Sequence, residues 1–260
     1  MPNTERVRCP WCTKDDIYKK YHDTVWGKPE WDDQRLFAKL ILDGAQAGLS
    51  WYTILIRSES YAKAYHGWDA KKIANYGEKD IARLLNDPGI IRNRAKVMAS
   101  IGNAQAYLKI MEGGKDSFRD FLWKHVDHKT IVNNRTGMDQ LLASSPESDA
   151  MSKDLKKHGF KFVGSSIVYT FMQACGMVDD HLVTCWRRTA TGCPNGPASP
   201  RSSGWPEGSC SSRRCRTLNV SSLRKQGGGF SIEVQHVGCE GLGWGFPGEA
   251  FSWRVVVGSN

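Results

Sequence analysis

Apolar residues recur at helical spacing through most of the first 175 positions, in segments cut by short breakers and with almost no strand alternation. That pattern commits the first part of the chain to an all-α domain of about eight helices. Asp32 or Asp33 caps a helix carrying Leu36, Phe37, Leu40 and Ile41. Residues 58–65 and 78–86 read as further short helices. Residues 92–112 set Val97, Ile101, Ala104, Leu108 and Met111 on one stripe, and Gly113–Gly114 ends it. Residues 117–125, 149–157 and 164–175 complete the series.

The composition changes near Thr189. Thirteen of the 26 glycines lie in 190–260, which holds no Asp, Tyr or Met. No apolar period persists there, so residues 1–188 read as one domain and 189–260 as a Gly/Ser/Arg-rich, disordered extension. Phe230–Val234 and Trp253–Val257 are its candidate strands. Cys193, Cys210, Cys215 and Cys239 could form a second metal site, although they fit no zinc template well, and the Arg213–Arg216 cluster could form a nucleic-acid tail; a nonfunctional extension, such as a frame or splice artefact, is the further alternative.

Lys and Arg number 36 against 27 Asp and Glu, a net charge of +9 that favours polyanionic partners. The start, MPNTERVRCP, has no apolar signal region, and no run approaches the ~20 apolar residues a membrane span needs. The expectation is an intracellular protein that is not secreted. The cysteines are then metal ligands or free thiols rather than disulfides.

Cys9, Cys12 and His22 stand near one end of the helical part, and His181 and Cys185 at the other. On a helix, His181 and Cys185 would share a face and could grip one ion. A tetrahedral zinc needs two further donors, either Cys9 with His22 or Cys9 with Cys12. Such a staple would tie the N-terminal arm to the end of the domain. Two buried thiols and two unrelated histidines are the plainer alternative.

The segment from Leu84 to Arg94 reads helix, tight turn, helix. Gly89 supplies permissive backbone, and Ile90 and Ile91 anchor the turn inward. The free N–H groups opening the next helix suit a phosphate, with Arg92, Arg94 and Lys96 beside them. Such a hairpin holds backbone and reads no sequence. An ordinary helical hairpin with a basic surface is the alternative.

Trp11, Tyr18, Tyr21, Trp26 and Trp51 crowd into the first part of the chain around one carboxylate, Asp43. Asp43 falls on the apolar face of its own helix, where it is costly unless hydrogen-bonded or facing a ligand. Aromatic walls with one acidic group suit a base flipped out of a duplex. An aromatic core with Asp43 satisfied by a nearby backbone N–H, or tilted toward solvent, is the other possibility.

RCPWC…YKKYHDTVWGKP, DDQRLFAKLILDGAQAGLSWYTIL, DPGIIRNRAKV, SFRDFLW, SKDLKKHGFKFVG and YTFMQACGMVDDH…C together resemble the 3-methyladenine DNA glycosylase I family, from about Arg8 to Cys185. The resemblance implies an all-α helix–hairpin–helix glycosylase fold with a structural zinc on Cys9, His22, His181 and Cys185, leaving Cys12 a bystander. It implies hydrolysis of the N-glycosidic bond of alkylated adenine in double-stranded DNA by a monofunctional, monomeric enzyme. No lysine nucleophile stands out in the pocket motifs. Gly48 and Leu49 fall where the family places the loop that enters the duplex, an apolar wedge for the vacated gap. Trp11, Tyr18, Tyr21 and Trp51 match the base-pocket aromatics, with Trp51 the stacking platform. Asp43 takes the place of the family's usual Glu as the catalytic carboxylate, one methylene shorter, so that it reaches the base through a water or a small pocket shift. Val25 stands where Glu is common before Trp-Gly.

Overall fold

The computed structural model describes residues 6–189 and, beyond them, the backbone of three short strands. The chain divides into two units, Met1–Ser199 and Pro200–Asn260, each described by itself. In the first unit, ten α-helices run among the described residues: α1 (Asp16–Thr24), α2 (Asp33–Gln46), α3 (Trp51–Leu55), α4 (Ser58–Ala64), α5 (Ala70–Ala74), α6 (Glu78–Asn86), α7 (Arg94–Met111), α8 (Ser117–Trp123), α9 (Pro146–Lys157) and α10 (Ser165–Ala174). Their only strands are β1 (Ile131–Val132) and β2 (Val178–Asp179), a two-residue parallel pair. None of the described helices is long and apolar enough to cross a membrane.

Helix α2 sits at the centre of the core. Asp32 caps it, accepting from Arg35 N–H at 2.9 Å, and Leu36, Phe37 and Leu40 are buried on the face its period predicts. Against it pack α7, α8 and α10, which bring Val97, Ala104, Phe118, Leu122, Phe171 and Met172 into the same core. Fully burying each large aliphatic or aromatic side chain contributes about 1.5–3 kcal/mol. The α7 stripe is observed with Val97, Ile101 and Ala104 buried and Leu108 and Met111 half-buried.

Three helices have no counterpart in the apolar period. α3 and α5 are five residues each, too short to show one. α1 mixes charges and aromatics, and its buried face consists of Tyr21 and His22.

The pair β1–β2 steers the chain after α10. Asn133 N–H donates to Asp179 O at 3.0 Å. The buried Asp180 carboxylate accepts from Tyr169 Oη (2.7 Å), Gln173 Nε2 (2.7 Å), Asn133 Nδ2 (2.8 Å) and Arg135 Nε (3.2 Å). Every lone pair of a costly buried charge is thereby engaged, and the next residue, His181, is held in place.

In the second unit, β3 (Leu223–Gln226), β4 (Gly229–Ile232) and β5 (Val255–Val257) form an antiparallel sheet in the order β3-β4-β5. β4 and β5 overlap the two candidate strands of the Gly/Ser-rich stretch. The expectation of disorder over the rest of 189–260, and the alternatives weighed for Cys193, Cys210, Cys215, Cys239 and Arg213–Arg216, lie outside the described residues.

Candidate base pocket and metal centre

The donor atoms of Cys9, His22 and Cys185 lie within 4.8 Å of one another, all buried. His181 stands beside them, its ring centroid 5.1 Å from that of His22. Its Nε2 is buried with no hydrogen-bond partner among the described residues. The donors arrive from three places: the turn before the short 3₁₀ stretch Pro10–Cys12, helix α1, and the turn that follows β2. His181 and Cys185 do not share a helix face, contrary to their spacing read alone. The chain leaves β2 directly into a turn, closed by Cys185 N–H to Leu182 O at 2.8 Å. Cys12 Sγ is directed elsewhere, donating to Cys9 O at 3.1 Å, and burial pushes its thiol up to about 11.

Each histidine is oriented by a carboxylate behind it. His22 Nδ1 lies 2.8 Å from Asp23 Oδ1, and His181 Nδ1 lies 2.7 Å from Asp179 Oδ1. Asp23 in turn accepts from Arg8 at 2.8–3.0 Å and from Trp186 Nε1 at 3.3 Å. Burial raises the Asp23 carboxyl, but the bonds from Arg8 and His22 outweigh it and hold it below its ordinary value. Both Nε2 atoms are thereby left for the cluster. The hydrogen bond from Cys9 and the neighbouring His22 pull the Cys185 thiol down, while Cys9, as the donor, is pushed up. Trp26 packs beside both histidines, stacked at 6.0 Å from His22 and edge-on at 4.5 Å from His181. Gly27, at φ +76°, passes so close to His181 that a Cβ there would stand 2.4 Å from Cε1. Any side chain at 27 would displace that ring.

The aromatic residues singled out in the sequence come together. Trp11 lies edge-on to Tyr18 at 5.6 Å and to Tyr21 at 6.5 Å, and Tyr21 is 5.4 Å from Trp51. Two caps set this geometry. Asp15 caps α1 by accepting from Ile17 N–H at 2.7 Å, and also accepts from Tyr52 Oη at 3.1 Å, joining α1 to α3. Ser50 caps α3 by accepting from Thr53 N–H at 3.3 Å, which fixes Trp51 at the first helical position.

Asp43 is fully buried on α2. Lys39, one turn earlier, donates to its Oδ1, and the same Nζ lies 4.1 Å from the Trp51 ring centroid. Asp43 Oδ2, Trp51 Nε1 and Gln46 Oε1 are buried without hydrogen-bond partners among the described residues. Burial raises the Asp43 carboxyl above its ordinary value, with Lys39 opposing the shift. The plainer possibility, Asp43 satisfied by nearby backbone or tilted toward solvent, does not describe this site: the side chain is fully buried, its Oδ1 accepts from Lys39, and its Oδ2 has no partner among the described residues.

Between α2 and α3 the chain turns at Gly48, φ +76°, with nothing within 4 Å of where its Cβ would be. Leu49 beside it is 40% exposed. The α6–α7 hairpin turns through Asp87, whose Oδ1 accepts from Gly89 N–H at 2.7 Å. Gly89 is required for space rather than for unusual backbone: a Cβ would come within 2.8 Å of Ser60 Cβ. Ile90 is buried and Ile91 half-buried. Asn93 caps α7, and Arg92 and Arg94 are exposed. Lys96 turns inward instead, donating to Ala45 O at 2.8 Å and Ala47 O at 2.7 Å, on the last carbonyls of α2.

Sequence reasoning missed Asp23, Asp179, Lys39 and Gln46. Only Lys39 carried a local signal, the i,i+4 spacing to Asp43.

A helical domain that buries a Cys/His cluster close to a group of aromatic side chains and one buried carboxylate is the class of protein that this fold and site define. The chain belongs to the methyladenine glycosylase family, whose model matches residues 11–188. It is 49% identical over 178 residues to DNA-3-methyladenine glycosylase 1 of Escherichia coli (strain K12), spanning 68% of this chain and 95% of that protein. It is 48% identical over 184 residues to the DNA-3-methyladenine glycosylase of Haemophilus influenzae, spanning 71% and 99%. Among solved structures, 3-methyladenine DNA glycosylase I superposes with a TM-score of 0.68 at 47% identity, covering 69% of this chain and 98% of that one. The Staphylococcus aureus enzyme superposes with a TM-score of 0.67 at 39% identity, covering 70% and 96%.

Proposed function

We propose that this chain is a DNA glycosylase of base-excision repair, which hydrolyses the N-glycosidic bond of 3-methyladenine in double-stranded DNA. The carrying observation is that Asp43 and Trp51 are joined through Lys39 Nζ, and that Asp43 Oδ2 and Trp51 Nε1 are both buried without a partner among the described residues. A buried acceptor and a buried donor left open cost stability unless a ligand completes them. A flipped base offers both, and Trp51 offers it a face. Methylation at N3 makes the adenine a cation and weakens its glycosidic bond. The site therefore needs to extract the base, stack it and favour its departure rather than supply a strong acid. Asp43 complements the cationic base in this scheme and a water attacks the sugar carbon, so no covalent lysine intermediate forms.

The α6–α7 turn acts as a helix–hairpin–helix that grips backbone phosphate with the opening N–H groups of α7, Gly89, and the exposed Arg92 and Arg94. Lys96 serves this surface from behind, by fixing the end of α2 that leads into Gly48 and Leu49. Leu49 is the wedge that fills the gap in the duplex. Cys9, His22, His181 and Cys185 would hold a structural zinc. The two thiols and two imidazoles match its preferred donors, the orphaned His181 Nε2 lacks only an ion, and a carboxylate stands behind each imidazole. When bound, the zinc supplies cross-linking rather than reaction chemistry, since four protein donors leave no open position. Trp11, Tyr18 and Tyr21 line the pocket behind Trp51. The protein acts as a monomer.

The test is single-turnover release of 3-methyladenine from methylated duplex DNA. The wild-type chain should release the base, and Asp43→Asn should slow release about a hundredfold. DNA binding without release by a folded, wild-type protein would make it a damage-binding relic on this scaffold, the second reading, favoured only by the short carboxylate at 43.

A further inference from the structure

The two groups that recognise a cationic base in this pocket, a carboxylate and an aromatic face, are already engaged by a cation of the chain's own. Lys39 Nζ donates to Asp43 Oδ1 and lies 4.1 Å from the centroid of Trp51, and its side chain is only 14% exposed. An ammonium at that height over the ring and a base stacked on the same face exclude one another. Resting on the glycosylase reading, we propose that Lys39 is a specificity-determining residue: a placeholder cation that engages Asp43 and Trp51 and that the methylated base must displace.

The consequence is selectivity by exchange. A cationic base replaces one positive charge with another, so the buried carboxylate stays neutralised throughout. A neutral adenine that displaced the ammonium would leave the Asp43 carboxylate buried and bare, which is strongly unfavourable. The displaced ammonium ends a four-carbon stem already partly exposed, so it can reach water or a nearby phosphate without unfolding α2. The placeholder also opposes the burial that raises the Asp43 carboxyl. Among the described residues that face the carboxyl, it is the one cation doing so. Tyr21 and Cys175 also lie close to it, and burial pushes both upward and holds them uncharged.

Occupancy by an internal competitor weakens apparent affinity by the fraction of time that the pocket is open. Removing the competitor should therefore lower the half-saturating concentration, whereas removing a merely structural ion pair should not. The experiment is single-turnover release of 3-methyladenine from methylated duplex DNA at pH 8, for wild type, Lys39→Met, Lys39→Gln and Lys39→Arg. The half-saturating enzyme concentration should fall about tenfold in both neutral variants and stay near the wild-type value in Lys39→Arg. The gain should shrink as pH falls, because nothing then holds Asp43 ionised, and the lesion's own charge is fixed in DNA. Free adenine, a neutral competitor, should inhibit the neutral variants more strongly than the wild type.

Unchanged or higher half-saturation in both neutral variants, with release by the wild type intact, would overturn the placeholder and leave the glycosylase standing. Equal inhibition by adenine in all four proteins would do the same. No release from any of the four folded proteins would remove the glycosylase reading and the placeholder with it.

Discussion

Two buried polar sites lie close together in this domain, and they are finished differently. At the Cys9–His22–His181–Cys185 cluster, each imidazole is backed by its own carboxylate, and Asp23 is itself held by Arg8 and Trp186. At the second site, Asp43 is held by one flexible lysine, and its Oδ2 and Trp51 Nε1 go unpartnered among the described residues. The first arrangement is closed on every side but one, which an ion would fill. The second leaves a polar edge open in the shape of something absent. A closed network contributes stability, whereas an open one costs it and is kept for a ligand. The prediction that follows is a clean separation: damage to the cluster should cost folding, and damage to the pocket should cost chemistry.

The largest effect should come from Cys185→Ser. On the proposed zinc site, losing this donor would remove binding free energy that is also folding free energy, so the melting temperature should fall by about 10 °C or more. Bound zinc, measured on the purified protein, should drop below one per chain. A chelator should reproduce the fall in wild type and add nothing to Cys185→Ser. A melting temperature indifferent to both would mean the four residues are two thiols and two histidines packed together without an ion.

A middle effect should come from Asp43→Glu. The longer side chain carries the carboxylate one methylene further into the pocket, and direct contact should replace a water-bridged or shifted one. Single-turnover release should rise about tenfold, with the melting temperature changed by only a few degrees. A large loss of stability instead would break the separation, because it would show Asp43 to be finished as tightly as the cluster.

How much of this was legible in the sequence follows the same division. Helices long enough to show their period were readable: Asp32 capping α2, the α7 stripe, and the Asn86–Asn93 turn between α6 and α7. Asp43 on an apolar face was readable because a carboxylate there breaks the pattern. The short α3 and α5 were not, since five residues hold barely more than one turn. Asp23 and Asp179 were not, because a carboxylate behind a histidine depends on backbone direction and leaves no spacing. The H-x3-C pair was read as a helical face, yet β2 ends in a turn: Cys185 joins the Cys9–His22 donors and His181 stands beside His22. Lys39 had the spacing to meet Asp43, but its place against Trp51 depends on how α3 packs on α2, which no local pattern records.

The smallest effect is the pH dependence of stability at Asp43, and its sign is fixed by the direction of the shift. Burial raises the folded carboxyl above its unfolded value of about 3.9. The folded state therefore binds more proton than the unfolded chain between those two values. Below the unfolded value both states carry the proton, and the site contributes its full stability. As pH rises through the raised folded value, the carboxylate forms in the buried site and that stability is lost. Asp43→Asn cannot ionise, so the stability difference between it and wild type should grow in the variant's favour across this interval. Urea midpoints of both proteins at matched pH would measure it, and because each retains the same cluster, any acid loss of metal cancels in the difference. A difference that grew towards acid instead would show Asp43 to be held ionised by more than Lys39, and the open edge of the pocket to be closed by a partner of its own.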